Sequence, residues 1–152
     1  MVVSWAQKIK SNPSAIADAI IYYSNEYTNA KKDIEISLYK LEREKLGTSH
    51  IFEHRLSQLQ DLDAILKILN VKESNLRRTL YKKFIETIPN SNIDYLINLD
   101  DNVKSLESTI NELALIRNLY LGILKGLHIK SASVNLCSRL RKDDLYIVVN
   151  YD

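Results

Sequence analysis

Apolar residues recur at alternating spacings of three and four along two long segments of the chain. The first segment covers about 14–46 and includes Ile20 and Tyr27, and the second covers about 92–126. Residues three and four apart lie on one face of an α-helix, so the pattern predicts two long helices with coiled-coil-like apolar seams. Only Arg117 interrupts the second seam, where a charge requires a carboxylate partner or a position at the edge of the bundle.

Two shorter helices are predicted between these segments. Gly47 ends the first long segment, and apolar spacing resumes over about 50–70 and again over about 73–88, until Pro89 breaks the pattern. Only three glycines and two prolines occur in 152 residues, which favours few turns and long helices. The predicted fold is therefore mainly α, a bundle of about four helices within a single helical domain that spans 1–152.

The pattern changes in the last part of the chain, 129–152. Residues 145–151 are rich in β-branched and aromatic side chains, which is typical of a strand. We therefore predict a small C-terminal β-hairpin that packs on the helices as an appendage, because an isolated two-stranded hairpin is marginally stable. Ala132, Leu136 and Leu140 also fit helical spacing, which leaves a helix open for the first half of this segment.

The stretch 62–84 has the pattern of a helix, a tight turn and a second helix. Ile65 and Leu69 would face inward from the first helix, and Leu76 would pack the second helix back onto it. Asn70 would lie in the turn, since asparagine tolerates the left-handed backbone conformation that such a turn demands. Apolar residues at fixed offsets around a turn are typical of the DNA-binding helix-turn-helix, whose second helix contacts the duplex.

Positive charge is concentrated in the same stretch. Residues 67–83 contain six lysines and arginines and one glutamate, a net charge of +5, in a chain whose formal net charge is +2. A basic helix of this kind is typical of proteins that bind phosphate groups. The alternative is an ordinary amphipathic hairpin whose basic side is only solvated. On the first interpretation, the residues that would contact nucleic acid are Lys72, Asn75, Arg78, Thr79, Lys82 and Lys83.

A second pattern concerns metal binding. His50, Glu53 and His54 match the H-x-x-E-H order of some zinc proteases, in which two histidines hold the metal and the glutamate acts as a base. Such an enzyme needs a third ligand and a substrate cleft, and the sequence indicates neither, so we expect a surface histidine pair and no metal site. Neither a glycine-rich phosphate loop nor a nucleophile–histidine arrangement is evident, which predicts a protein without enzymatic activity or cofactors.

Composition sets the expectations for compartment and partners. The single Cys137 cannot form an internal disulfide, and no apolar stretch is long enough to cross a membrane. These features favour an intracellular, cytoplasmic protein with no membrane partner.

Two functions stay open on the sequence alone. The first is a non-enzymatic nucleic-acid-binding accessory protein that uses the helix-turn-helix-like element 62–84, with DNA as its partner. The second is an oligomerising structural or protein-interaction protein, such as an adaptor or inhibitor, with no nucleic-acid role. In both cases the long helices predict a homo-oligomer or a protein partner.

Overall fold

The computed structural model describes the backbone of residues 4–37 and 40–149, and the side chains of the same residues except 41, 42, 46 and 143–149. Helices account for nearly all of this part of the chain, which contains no β-strand. Among its helices, none is long and apolar enough to cross a bilayer. In chain order they are α1 (Trp5–Ser11), a short 3₁₀ turn (Pro13–Ala15), α2 (Ile16–Asp33), α3 (Leu41–Ile85), α4 (Asn90–Leu99) and α5 (Asp101–Val149).

The predicted C-terminal β-hairpin is wrong, because α5 continues through this region as far as Val149, while 150–152 lie outside the described residues. Helical spacing explains the difference, since Val134 is buried seven residues after the buried Leu127, as the inward side of one helix requires. Once a helix has formed, each added residue gains one backbone hydrogen bond, which outweighs the local β propensity of the last residues. Over 129–149, the helix therefore replaces the β appendage that was predicted for 129–152.

Neither long helix has the predicted boundaries. The first segment, 14–46, is divided, because α2 ends at Asp33 and Gly47, predicted to end a helix, lies inside α3. A glycine within a helix costs about 1 kcal/mol relative to alanine, which the packing of a helix of 45 residues offsets. The second segment, 92–126, is interrupted at Asp100, which separates α4 from α5.

A buried lysine explains where α2 ends. Lys130 of α5 donates hydrogen bonds from Nζ to the backbone oxygens of Asp33, at 2.9 Å, and Glu35, at 2.6 Å. These carbonyls would otherwise lack partners at the helix end, and a cation there also interacts favourably with the helix dipole. Because Lys130 lies almost a hundred residues away in the chain, local periodicity contains no sign of this boundary.

Asp100 forms the second boundary through its side chain. Its carboxylate accepts hydrogen bonds from the backbone N–H groups of Asn102, at 2.9 Å, and Val103, at 3.2 Å, so it caps the start of α5. Its backbone is extended, with φ −63° and ψ 129°. Apolar spacing passes across this point, because Ile97 and Val103 are both buried, and only the cap marks the break.

The turn predicted at Asn70 is absent, and the helix-turn-helix interpretation of 62–84 is wrong. α3 is one continuous helix through this stretch, and none of the residues that the structure describes has a positive φ. Leu62, Ile65 and Leu69 are buried with spacings of three and four, so the helical register never shifts before Asn70. An asparagine within a helix costs less than about 1 kcal/mol, which is too little to break it.

The chain forms two compact units. The first combines the described residues up to Ile21 with Gln60–Arg117. Ile93, Ile97 and Val103 form a buried cluster in this unit, and partly buried apolar residues from the end of α3 pack against them. The fold of this unit therefore positions the basic half of α3, because its inward side is held by α4 and α5.

Two polar contacts add to the first unit. Asp61 accepts hydrogen bonds from the backbone N–H groups of Trp5, at 2.8 Å, and Ala6, at 3.1 Å, and so satisfies two donors at the start of α1. Arg117 Nε lies 2.8 Å from Asp63 Oδ1, which confirms that this charge in the apolar seam has a carboxylate partner.

The second unit combines Tyr22–Leu59 with the described residues from Asn118 onward. Tyr23 and Tyr120 lie at its centre, with their rings edge to face and their centroids 5.9 Å apart. The Tyr120 hydroxyl donates a hydrogen bond to the backbone oxygen of Tyr23 at 3.2 Å, and burial raises the pKa of this phenol well above its usual range. The single domain predicted over 1–152 stays a prediction.

Candidate nucleic-acid interface

The residues predicted to contact nucleic acid all lie on the C-terminal half of α3, and all are exposed. They form two groups rather than one face. At about 100° per residue, Asn75, Arg78 and Lys82 lie on the side of α3 directly opposite its apolar stripe. The remaining three lie on one flank, between that outer side and the apolar stripe, and are Lys72, Thr79 and Lys83.

Exposed apolar side chains lie on the same outer side and were missed by the sequence analysis. Val71 is 55% exposed, Ile85 is 45% exposed and Tyr81 is 40% exposed. The signal was present in the sequence, because Val71 and Ile85 lie about half a turn from the buried residues, with Tyr81 at the edge of the same side. We call Lys67, Val71, Asn75, Arg78 and Lys82, with Tyr81 and Ile85, the outer strip of α3.

A shallow groove follows the first half of the outer strip. It has a volume of about 530 Å³, and its lining includes Lys67, Val71, Asn75 and Arg78. The groove thus brings two cations together with amide and apolar side chains on one helix, and the one carboxylate in its described lining, Asp63, is paired with Arg117. Lysine and arginine contact phosphates, and amides contact either phosphates or base edges, so this combination suits nucleic acid.

Arg77 differs from its neighbour Arg78 because it is held inside the first unit. Its Nε lies 2.8 Å from Glu73 Oε1, its Nη1 donates to Asn98 Oδ1 at 2.9 Å, and its Nη2 donates to Glu107 Oε1. The hydrogen bond to Glu73 outweighs the effect of desolvation and raises the pKa of Arg77 above its usual range. Arg77 therefore acts as a structural cation that joins α3 to α4 and α5.

The other cations of this half of α3 have no such partners. Within the part of the chain that the structure describes, none of their side chains forms an ion pair with a carboxylate. Since Glu73 is paired with Arg77, the positive charge of this region is left without internal compensation. The residues that carry it are Lys67, Lys72, Arg78, Lys82 and Lys83.

Thr79 fits the predicted site less well. Its Oγ1 donates a hydrogen bond to the backbone oxygen of Asn75 at 2.9 Å, one helical turn earlier. This is a common contact of threonine within helices, and it uses the hydroxyl proton inside α3. Thr79 can still accept a hydrogen bond, but it contributes no free donor to a phosphate.

The H-x-x-E-H pattern lies inside the second unit's part of α3, which begins at Leu41 and extends to Leu59. His50, Glu53 and His54 are all exposed. Across the described residues, no group of three or more histidine, cysteine, aspartate or glutamate side chains is arranged to hold a metal ion. The two histidines therefore lack a third ligand of these types within that part of the structure.

Comparison with known proteins gives a fold likeness but no family. No family model and no curated protein matches the sequence. The structure is similar to the crystal structure of the bacteriophage T4 recombination mediator protein UvsY, with a TM-score of 0.72. The likeness establishes a shared fold. It covers 80% of this chain and 98% of the UvsY chain, at 11% sequence identity, so it shows the architecture alone.

Proposed function

We propose that this chain is a non-enzymatic accessory protein that binds nucleic acid through the basic half of α3. The observation that carries the proposal is the contrast between Arg77, which is paired with Glu73 and Glu107, and the neighbouring cations, which have no carboxylate partner among the described residues. Uncompensated cations along one exposed helix attract the phosphate backbone. The fold shared with a protein named as a recombination mediator supports an accessory role in DNA recombination.

The continuous helix changes the expected mode of binding. A helix-turn-helix inserts its second helix into the major groove while the first helix braces it, and α3 has no turn to create that geometry. The outer strip of α3 instead offers cations for phosphates and Tyr81 for stacking on a base. We therefore propose contacts to the nucleic-acid backbone with little sequence preference.

Fluorescence anisotropy with labelled single-stranded and duplex DNA of the same sequence tests the proposal. Five uncompensated cations predict that log K falls against log salt with a slope of about −4, because each phosphate contact releases bound counterions. Titrations between about 50 and 200 mM salt measure this slope. Absence of binding to both forms of DNA at the lowest salt would contradict the proposed function. If the protein binds, the form that it binds with higher affinity identifies the preferred nucleic acid.

A second proposal concerns self-association, which the sequence predicted from the long helices. In the second unit, α5 exposes Ile129 at 64%, Leu136 at 59% and Leu140 at 55%, with the exposed Ala132 between them. Spacings of three and four place these side chains on one stripe, which suits pairing with the same stripe of a second copy. Exposed apolar stripes of this kind are typical of interaction surfaces.

Replacing two residues of this stripe, Ile129→Glu with Leu136→Glu, is expected to convert an oligomer to a monomer. Four carboxylates would face one another in a dimer, and their repulsion and desolvation would oppose association. Multi-angle light scattering measures the mass of each protein. His128→Glu with Asn135→Glu is the matched control, because these exposed residues are also seven apart on α5 but outside the stripe. A wild-type protein that stays monomeric at high concentration would rule out this surface.

A further inference from the structure

A groove in the first unit lies between α1, α3 and α5, away from the outer strip of α3. It has a volume of about 670 Å³, within the range of about 300–1,000 Å³ that is common for ligand sites. The buried Ile9 and Leu69 are part of its lining. Its other aliphatic lining residues are only partly buried, and are Ile16, Ile68, Leu76 and Leu106.

The rim of this groove is polar and positively charged. Lys10 from α1 and Lys72 from α3 are both exposed on it, and Asn102 and Ser105 of α5 are exposed there as well. No carboxylate lines the groove as the structure describes it, and neither lysine forms an ion pair with a described acidic residue. An occupant therefore meets an aliphatic interior and two free ammonium groups at the edge.

We propose that this groove binds an acidic amphipathic peptide segment of a partner protein. A helical segment that presents apolar residues at i, i+3 or i+4, and i+7 fills an aliphatic groove between helices. Carboxylates on the flanks of that segment would face Lys10 and Lys72, which fixes the sign of its charge. The partner is thus defined by its chemistry, as leucine- or isoleucine-rich on one side and glutamate- or aspartate-rich beside it.

Nucleic acid suits this groove less well than a peptide. Proteins bind unpaired bases by stacking them on aromatic rings or on arginine planes, and the described lining contains neither aromatic nor arginine side chains. The aliphatic interior would instead remove apolar side chains from water, which is the main source of affinity in helix–groove complexes. The proposal is independent of DNA binding, although Lys72 belongs to both surfaces.

Anisotropy with a labelled synthetic peptide tests the inference. The probe is a helix of about 15 residues with leucine at i, i+3, i+4 and i+7 and glutamate at the flanking positions. Two reference probes have the same composition in scrambled order, or lysine in place of glutamate. The full-length protein is expected to bind the first probe and to bind both reference probes at least about tenfold more weakly.

Variants of the groove distinguish peptide binding in the groove from DNA binding on the outer strip of α3. Ser105→Trp places an indole at the groove rim and is expected to weaken peptide binding at least about tenfold, whereas the matched control Ser108→Trp, exposed outside the lining, leaves it unchanged. Lys10→Glu is expected to weaken peptide binding about three- to tenfold. DNA affinity is expected to stay at the wild-type value in Ser105→Trp.

Three results would overturn the inference. The first is equal binding of the designed and scrambled peptides, or of the glutamate and lysine peptides. The second is wild-type peptide affinity in Ser105→Trp when circular dichroism shows a folded protein. The third is a loss of DNA binding in Ser105→Trp without a loss of peptide binding, which would assign the groove to nucleic acid.

Discussion

Reversing two charges on the outer strip of α3, Arg78→Glu with Lys82→Glu, is expected to lower DNA affinity at least about 100-fold at low salt. Both side chains lie opposite the apolar stripe of α3, and each cation is replaced by a group that repels phosphate. Neither forms an ion pair with a described carboxylate, so the helices should remain intact. Fluorescence anisotropy measures the affinity, and far-ultraviolet circular dichroism measures the helix content.

A matched double variant separates the strip from overall charge. Lys104→Glu with Lys125→Glu changes the net charge of the chain by the same amount and replaces two exposed lysines of α5. This control is expected to keep affinity within about threefold of the wild type, because neither lysine belongs to the proposed site. Equal loss in both variants would mean that bulk charge drives binding. Wild-type affinity in Arg78→Glu with Lys82→Glu would remove the basis of the proposed function.

Arg55→Met is expected to lower the free energy of unfolding by about 3 kcal/mol at neutral pH, the lower end of the range for breaking a buried ion pair. The Arg55 side chain is only 7% exposed, and its nitrogens lie 2.7 Å from Asp33 Oδ2 and 2.9 Å from Glu26 Oε2. It also donates to Gln58 Oε1 at 2.8 Å. Methionine fills similar space but leaves both carboxylates without their cation.

The pH dependence of stability provides a second test of this network. Burial would raise the pKa of Glu26, but hydrogen bonds from Asn29, Arg55 and Gln58 outweigh it and lower the pKa below its ordinary value of 4.5. A group whose pKa is lowered in the folded state stabilises the protein at pH values above its ordinary pKa. This stabilisation is lost as the pH falls through the pKa of the folded state. The cost of Arg55→Met should therefore begin to shrink below about pH 4.5, where Glu26 of the unfolded chain binds a proton, and should shrink further as the pH falls through the lower pKa of the folded state.

Urea unfolding at pH 7 and near pH 4 measures both effects. Arg43→Met is the matched control, because Arg43 is exposed on the same helix and forms no ion pair with a described carboxylate. It is expected to change stability by less than about 0.5 kcal/mol. If Arg55→Met lowers the free energy of unfolding by no more than this control, or if its effect grows as the pH falls, the role assigned to the buried network would be contradicted.

Helices could be predicted from the sequence because helical spacing is a local property, but their ends could not. The end of α2 depends on Lys130, which arrives from α5, and the break before α5 depends on the cap at Asp100. The predicted turn at Asn70 and the C-terminal hairpin failed for a related reason. Both predictions depended on the local preferences of a few residues, for a turn at Asn70 and for a strand near the C-terminus. The packing of one long helix outweighs such local preferences.

In the candidate site, too, local features could be predicted from the sequence, whereas contacts between distant segments could not. The exposure of the predicted residues follows from the apolar stripe of α3, so the sequence was sufficient to place them outside the core. The contrast between Arg77 and Arg78 was accessible only in part, because Glu73 precedes Arg77 by one helical turn but Asn98 and Glu107 lie 21 and 30 residues away. The groove between α1, α3 and α5 combines residues from three separate segments, and no local pattern marks it.

The placement of aromatic residues makes the cooperativity of folding directly measurable. The only tryptophan, Trp5, lies in the first unit, where Asp61 accepts its backbone N–H. Tyr23 and Tyr120 form a buried, edge-to-face pair in the second unit. Tryptophan fluorescence therefore follows the opening of the first unit. The near-ultraviolet circular dichroism of tyrosine follows mainly the buried pair of the second unit, because Tyr81 and Tyr95 of the first unit are exposed. Coincident transitions would identify one cooperative domain, and separate transitions would identify two foldons.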